Sequence, residues 1–326
     1  MPAAETASGS FDSSVHPVPG IDQSADAPAL QDLSEKDKPW DKHRTNADRI
    51  QAHYWASAEF ERYAQRVGDC SQLLEFKLAA GNEGLMSLKL AGARFCRVRH
   101  CPVCQWRRSL RWKAKAHKVL PQVIKKYPKY RWVFLTLTIK NVPITELRDT
   151  LQHMNKSYQR MVQRKIWPAE GWLRSTEVTR GRDGTAHPHF HSLLLVKPSF
   201  FSHNYIRQDE WADLWGSCAR LDYTPIVDSR AVKRGKQPMQ LILELLKYCV
   251  KESDLVADCE WFLELTRQMF KLRCIATGGV LKEYLKALEQ EPEDLIGESE
   301  DPDEVDEGSL YFGWRQKQRK YRLEDY

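Results

Sequence analysis

The 326-residue chain has no run of about 18 apolar residues, the length that a membrane-spanning helix needs. It also lacks a basic-then-apolar leader, so neither a transmembrane span nor a secretory signal is expected. No convincing phosphate-binding Walker motif occurs, which argues against nucleoside triphosphate chemistry. No internal repeat is found. The eight cysteines are not spread through a small secreted scaffold. Four of them lie among basic and aromatic residues, a pattern suited to metal and to a reducing, cytoplasmic location.

Basic residues are scarce at both ends of the central region. Residues 1–39 carry seven acidic and two basic side chains and almost no aromatics, and are expected to be disordered. Residues 289–307 carry eleven acidic side chains and no basic ones, which reads as an acidic linker. The tail, 308–326, is net +3, with Tyr311-Phe312-Gly313-Trp314 placed to dock on the body. Residues 40–288 are left with a net charge of +19. An excess of that size favours a polyanionic partner, with nucleic acid the common one, over an ordinary solvated surface.

Helical spacing runs from Trp40 to about Gln65. The cysteines follow: Cys70, then Cys96, Cys101 and Cys104. The Cys101-x2-Cys104 spacing lets two thiolates hold one ion from a tight turn, and Cys96 supplies a third. Zinc wants four ligands. Cys70, His100 and His117 compete for the fourth place, and Cys70 is preferred because four thiolates close a structural site and segment 71–95 reads as strands. Next, Trp106, Arg107, Arg108, Arg111 and Lys113 open a basic helix in which cations interleave with aromatics, as DNA contact requires. The competing reading is a helix that docks on the core through its tryptophans.

Residues 131–139 form the clearest strand, β-branched and aromatic, with Thr136 and Thr138 on one face. A helix is expected over 145–165 and a strand over 171–179. That strand turns through Gly181-Arg182-Asp183-Gly184 into His187-Pro188-His189-Phe190-His191 and the apolar run that follows. Period-two alternation puts His189 and His191 on one face. Antiparallel pairing of the two strands then brings Glu177 close to one of them. Two imidazoles and a carboxylate suit a divalent ion such as Mn²⁺ or Mg²⁺, with His187 as Glu177's competitor. Beyond a helix near 205–219 and a strand near 223–227, residues 238–251 read as a helix. Its polar face carries Glu244, Tyr248 and Lys251, and residues 252–288 are expected to continue as helix. A phenol with a pKa near 10 is a poor nucleophile unless assisted, and a metal acting on a phosphodiester gives that assistance. Lys251 would favour phenolate or bind a phosphate oxygen.

At Phe134-Leu135-Thr136-Leu137-Thr138, His187-Pro188-His189-Phe190-His191 and Tyr248-x2-Lys251 the sequence resembles plasmid rolling-circle replication initiators (Rep) of the HUH endonuclease superfamily. The segment from Cys70 through Phe95-Cys96 to Cys101-Pro102-x-Cys104-x-Trp106-Arg107-Arg108 is similar to the zinc-like region that precedes those motifs. The resemblance spans about residues 54–270. It implies an α+β fold with an antiparallel sheet flanked by helices, ferredoxin/RRM-like, with a zinc-binding module before it. Metal ligation by His189 and His191, nicking by Tyr248, and a 5′-phosphotyrosine link with a free 3′-hydroxyl are likewise implied. Glu244 would replace a second tyrosine as general base for a terminating water. Host helicase and DNA polymerase would then extend the 3′ end.

The expected domains are a disordered arm (1–39), a helical zinc module contacting DNA (40–125), a nicking and strand-transfer domain (126–288) and an acidic linker with tail (289–326). Three alternatives stay open. One is a conjugative relaxase or single-strand transposase of the same chemistry. Another is a metal-dependent hydrolase, for which no further ligand set is found. The third is a zinc-stabilised DNA-binding regulator in which Tyr248 is only surface.

Overall fold

The computed structural model describes residues 27–80, 86–232, 242, 245–246, 249–284, 295–296 and 304–324. In chain order the elements begin with helices α1 (Leu30–Leu33), α2 (Pro39–Trp55) and α3 (Glu61–Gly68), then strands β1 (Leu73–Ala80) and β2 (Met86–Ala93). The long helix α4 (Pro102–Lys126), strand β3 (Arg131–Thr138) and helix α5 (Leu147–Val162) come next. The hairpin of β4 (Ala169–Arg180) and β5 (Ala186–Val196) leads to helix α6 (Gln208–Ala219) and strand β6 (Val227–Ala231). Helices α7 (Glu252–Ala257) and α8 (Cys259–Gln268) and strands β7 (Ile275–Gly279), β8 (Glu304–Arg315) and β9 (Lys320–Glu324) complete the chain.

These elements form an α+β fold with two antiparallel sheets, ordered β6-β3-β5-β4-β7 and β2-β1-β8-β9. Alternation along the five-stranded sheet sends its two sets of side chains to different partners. On one face Val133, Leu135, Phe190 and Leu194 share a core with Leu151, Met154 and Tyr158 of α5 and Trp211 and Trp215 of α6. On the other face Phe134, Leu173, Leu193 and Leu195 pack with Ala116, Leu120 and Val123 of α4 and with Ile242, Leu245 and Leu246. Helix α4 starts with Pro102 in its first turn, where a missing N–H costs nothing. At about 1.5 Å per residue it runs roughly 37 Å. Its first turns pack with the cysteines and its last turns on the five-stranded sheet, so one helix ties the two parts together. No described helix is long and apolar enough to cross a membrane.

Four expectations are corrected. The arm expected to be disordered through residue 39 is structured from residue 27. Ala29 and Leu30 are buried, and the Pro28 carbonyl accepts from Leu323 N–H at 3.0 Å. The acidic linker expected through residue 307 gives way at Glu304 to β8, and the tail docks on the body as expected, as two strands of the smaller sheet with Phe312 and Tyr321 fully buried. Each of these two ends covers the other, so neither shows enough apolar content locally. The helix expected across 252–288 breaks after α8 and gives way to β7, the edge of the larger sheet. Glycine permits that edge: a Cβ on Gly278 would stand 2.3 Å from the Trp172 ring, and Gly279 has φ +58°. The strand expected at 223–227 begins instead at Val227.

Candidate active site and cysteine cluster

The β4–β5 hairpin sets Glu177 directly opposite His189 and Ser175 opposite His191. On its other edge β5 pairs with β3, which places Thr138 opposite His189 and Thr136 opposite His191. Side chains opposite one another in such a ladder have Cβ atoms about 5 Å apart, close enough to share a ligand. The Nε2 atoms of His191 and His189 stand 3.1 and 3.3 Å from the same Glu177 oxygen, Oε2. Each imidazole has its other nitrogen engaged: His191 Nδ1 lies 3.1 Å from Thr136 Oγ1, and His189 Nδ1 lies 3.2 Å from the His187 carbonyl. With Nδ1 engaged in this way, each ring turns Nε2 toward Glu177, and Nε2 is the atom through which it binds a metal once its proton is displaced. Ligand atoms of the three residues all lie within 4.8 Å of one another. Burial raises the Glu177 carboxyl, but hydrogen bonds from the two histidines outweigh it and hold it well below the usual carboxylate range. Two imidazole nitrogens and an ionised carboxylate, partly open to solvent, fit a divalent cation. His187 is outside this group. It sits two pairs nearer the turn, opposite Thr179, with its ring 5.3 Å from that of His189.

Tyr248 and Glu244 lie outside the described residues. Other residues of the same segment are described. Ile242, Leu245 and Leu246 pack on Phe134, Leu173, Leu193 and Leu195, which by alternation occupy the sheet face of Glu177, His189 and His191. Cys249, which follows Tyr248 in the sequence, accepts through its carbonyl from Val178 N–H at 2.8 Å, and Val178 follows Glu177. Beyond it, Glu252 accepts from Asn46 Nδ2 at 2.8 Å and meets His43 Nδ1 at 2.6 Å, both on α2. The expected helical face does not extend to Lys251. Cys249 and Val250 form a bend, and Lys251 is extended and exposed at the N-cap of α7. A helix that continued would lose the pairing of Cys249 with the edge of β4.

The second cluster is closed. Cys70, Cys96, Cys101 and Cys104 are all buried, and three of their Sγ–Sγ distances are 3.6, 3.6 and 3.7 Å. A tetrahedral zinc with bonds of about 2.3 Å has sulfur–sulfur edges of about 3.8 Å. Backbone N–H groups of Arg97 and Val98 point at Cys104 and Cys96 sulfurs, at 3.3 and 3.5 Å. Burial and then the neighbouring thiols push the Cys101 thiol well above its ordinary value, so a cation is needed to hold four thiolates here. His100 is not in the group. It is fully buried beside it, and neither ring nitrogen has a hydrogen-bond partner among the described residues.

The basic helix differs from the DNA-contact expectation. Arg108 is buried and donates to the Val98 and Arg99 carbonyls. Arg107 donates to the Leu295 and Ile296 carbonyls at 2.9 and 2.7 Å, and Trp106 stacks on His43 and meets Trp40 edge-on. Arg111 and Lys113 are half-buried. The pattern of cations and tryptophans that reads as a DNA face is here largely an internal bracket. Two site contributors escaped sequence reasoning: Thr136, whose shared face with Thr138 was visible but not its histidine, and Cys249, whose link to β4 has no sequence signal.

The family model described as "Replication protein" matches residues 87–322. A "Protein rep" of Streptococcus pneumoniae serotype 2 is 36% identical over 273 residues, covering 80% of this chain and 84% of the relative. A "Protein rep" of Bacillus amyloliquefaciens is 33% identical over 309 residues, covering 84% and 90%. One of Lentilactobacillus hilgardii is 36% identical over 297 residues, covering 85% and 92%. No solved structure matches the chain significantly.

Proposed function

The chain belongs to the plasmid replication-protein (Rep) family, and from that premise we propose that it starts rolling-circle replication by nicking the plasmid origin through Tyr248. The Tyr248 oxygen forms a bond to the scissile phosphorus as the bond from phosphorus to the 3′-oxygen breaks. The phenol gives up its proton and the departing 3′-oxygen takes one, leaving a 5′-phosphotyrosine link and a free 3′-hydroxyl. One phosphoester replaces another, so no nucleotide cofactor is consumed. His189, His191 and Glu177 would hold Mn²⁺ or Mg²⁺, which when bound polarises the scissile phosphate. Lys251, exposed just past the tyrosine segment, is suited to a phosphate oxygen. Glu244 is assigned as base for the water that cuts the regenerated origin and ends the round. Host helicase and polymerase extend the 3′ end.

One observation carries this reading. Ile242, Leu245 and Leu246 pack on the sheet face that bears the His–His–Glu group, and the Cys249 carbonyl meets Val178, the neighbour of Glu177. Consecutive Cα atoms are about 3.8 Å apart, so Tyr248 is one residue from a backbone carbonyl tied to the strand that carries Glu177. The test is incubation with Mn²⁺ and single-stranded DNA carrying the plasmid's own origin. A denaturant-resistant protein–DNA adduct is expected from the wild type and none from Tyr248→Phe. An adduct that persists in Tyr248→Phe, or no adduct from either protein, sinks the proposal; no adduct together with retained DNA binding points to a zinc-stabilised regulator.

A further inference from the structure

Away from the His–His–Glu group, a cavity of about 210 Å³ opens between α2, α3, the cysteine loop and the turn after α8. That is smaller than pockets that enclose drug-sized ligands and suits one flat ring, with the rest of a larger ligand lying at the open rim. Its lining has two chemistries. Arg97 and Lys271 are exposed there, Arg66 is exposed but donates through Nη2 to the Cys96 carbonyl, Arg99 is half-buried, and none of the described lining residues is acidic. Phe270, 51% exposed, stands beside Lys271, whose ammonium lies 5.2 Å from the ring centroid. Deeper, the lining is aromatic and polar: Tyr54 is buried, and so is His100.

His100 is the informative group. A neutral imidazole carries one donor and one acceptor, and burying both unpartnered is costly. A ligand that presents a donor and an acceptor side by side would satisfy them. A bare phosphate would engage the cations but leave the rings and the imidazole unused. A nucleotide uses all three: phosphate toward the cations, a base against the aromatic surfaces, and the base's edge toward His100.

We propose that this cavity holds one nucleotide of single-stranded DNA, outside the cleavage centre. The assignment to a strand rests on the DNA-binding part of the replication reading and not on the nicking chemistry. The cavity is also linked to that centre. Arg99 Nη1 donates to Cys274 Sγ at 3.4 Å, and the Cys274 carbonyl accepts from Thr176 N–H, next to Glu177. A strand seated here would therefore be fixed relative to β4.

The test uses the full chain carrying Tyr248→Phe, so that no adduct forms. Its probes are fluorescein-labelled (dT)10, dTMP and inorganic phosphate. Phe270→Ala is expected to weaken (dT)10 roughly 5- to 100-fold, the range measured for one base–aromatic stack. Lys271→Ala is expected to lower the slope of log affinity against log salt by about 0.7, one phosphate on a single strand. Zinc content and melting temperature of both variants confirm that they are folded, since both side chains are exposed. Unchanged affinity and slope in both overturn the proposal. Binding of dTMP as tight as that of (dT)10 overturns the assignment to a strand, and phosphate competing as well as dTMP overturns the role of the base. If wild-type protein forms no adduct while (dT)10 binding still depends on Phe270, the nicking reading fails and this one stands.

Discussion

The two groups able to hold metal are built on opposite plans. The four cysteines come from a loop after α3, a loop after β2 and the start of α4, and all are buried. The His–His–Glu group lies on two adjacent strands, β4 and β5, and remains partly open: the Glu177 and His191 side chains are each 21% exposed. Four sulfurs at tetrahedral spacing leave a cation no free position, as in structural sites. Three donors with solvent beside them leave room for a substrate oxygen, as catalysis requires. The first site joins the open end of the β1–β2 hairpin to the start of α4; the second sits across two paired strands of the larger sheet. Closure and openness thus follow from what each site is attached to.

The largest expected effect breaks the closed site. Cys101→Ser should release zinc and destabilise the chain by more than about 4 kcal/mol, the range reached when a metal ligand is lost. Elemental analysis and thermal unfolding read both. If the variant keeps its melting temperature, the cysteines are ordinary core thiols. His191→Gln tests the other side. Adduct formation on origin DNA should fall by at least about 100-fold while the melting temperature moves by only a few degrees. A collapse of stability equal to that of Cys101→Ser would erase the distinction between the sites. Thr136→Val should act more mildly, because it removes the hydroxyl that meets His191 Nδ1 and leaves all three ligands. A 10- to 100-fold rise in the Mn²⁺ concentration needed for nicking is expected, with the rate restored at saturating metal. Failure of high Mn²⁺ to restore it would mean that Thr136 does not act through metal binding.

The same contrast explains what could be read from the sequence. Both metal-competent groups were legible because their signals are short-range: Cys101-x2-Cys104 is a local bite, and Glu177 meets His189 through a single hairpin. The fold class was legible for a related reason, since β3 and the hairpin carry period-two apolar runs. What stayed hidden depends on distant pairing. Ala29 and Leu30 are buried only because β9 lies beside them, and β7 exists only because Gly278 fits under Trp172. The bend at Cys249 and Val250 is another such case. Its cause is a hydrogen bond to the edge of β4, which helical periodicity cannot register.

The smallest expected effect concerns α4, which spans both regions and whose cations look alike in sequence. Arg107 donates from Nε and Nη2 to two backbone carbonyls, and its guanidinium lies over the Trp40 and Trp106 rings. Lys113, two turns on and half-buried, is past the bracket around the cysteines. A guanidinium committed to carbonyls neutralises no phosphate, so Arg107→Ala should cost about 1–2 kcal/mol in stability and leave the salt dependence of DNA binding unchanged. Lys113→Ala should leave stability within about 0.5 kcal/mol and reduce the salt slope on duplex origin DNA by about 0.9, the loss of one phosphate contact. Salt titrations of both variants against wild type separate the two roles. If Arg107→Ala flattens the slope as much as Lys113→Ala, the basic helix contacts DNA along its whole length, and its packing against residues 295–296 is not its purpose.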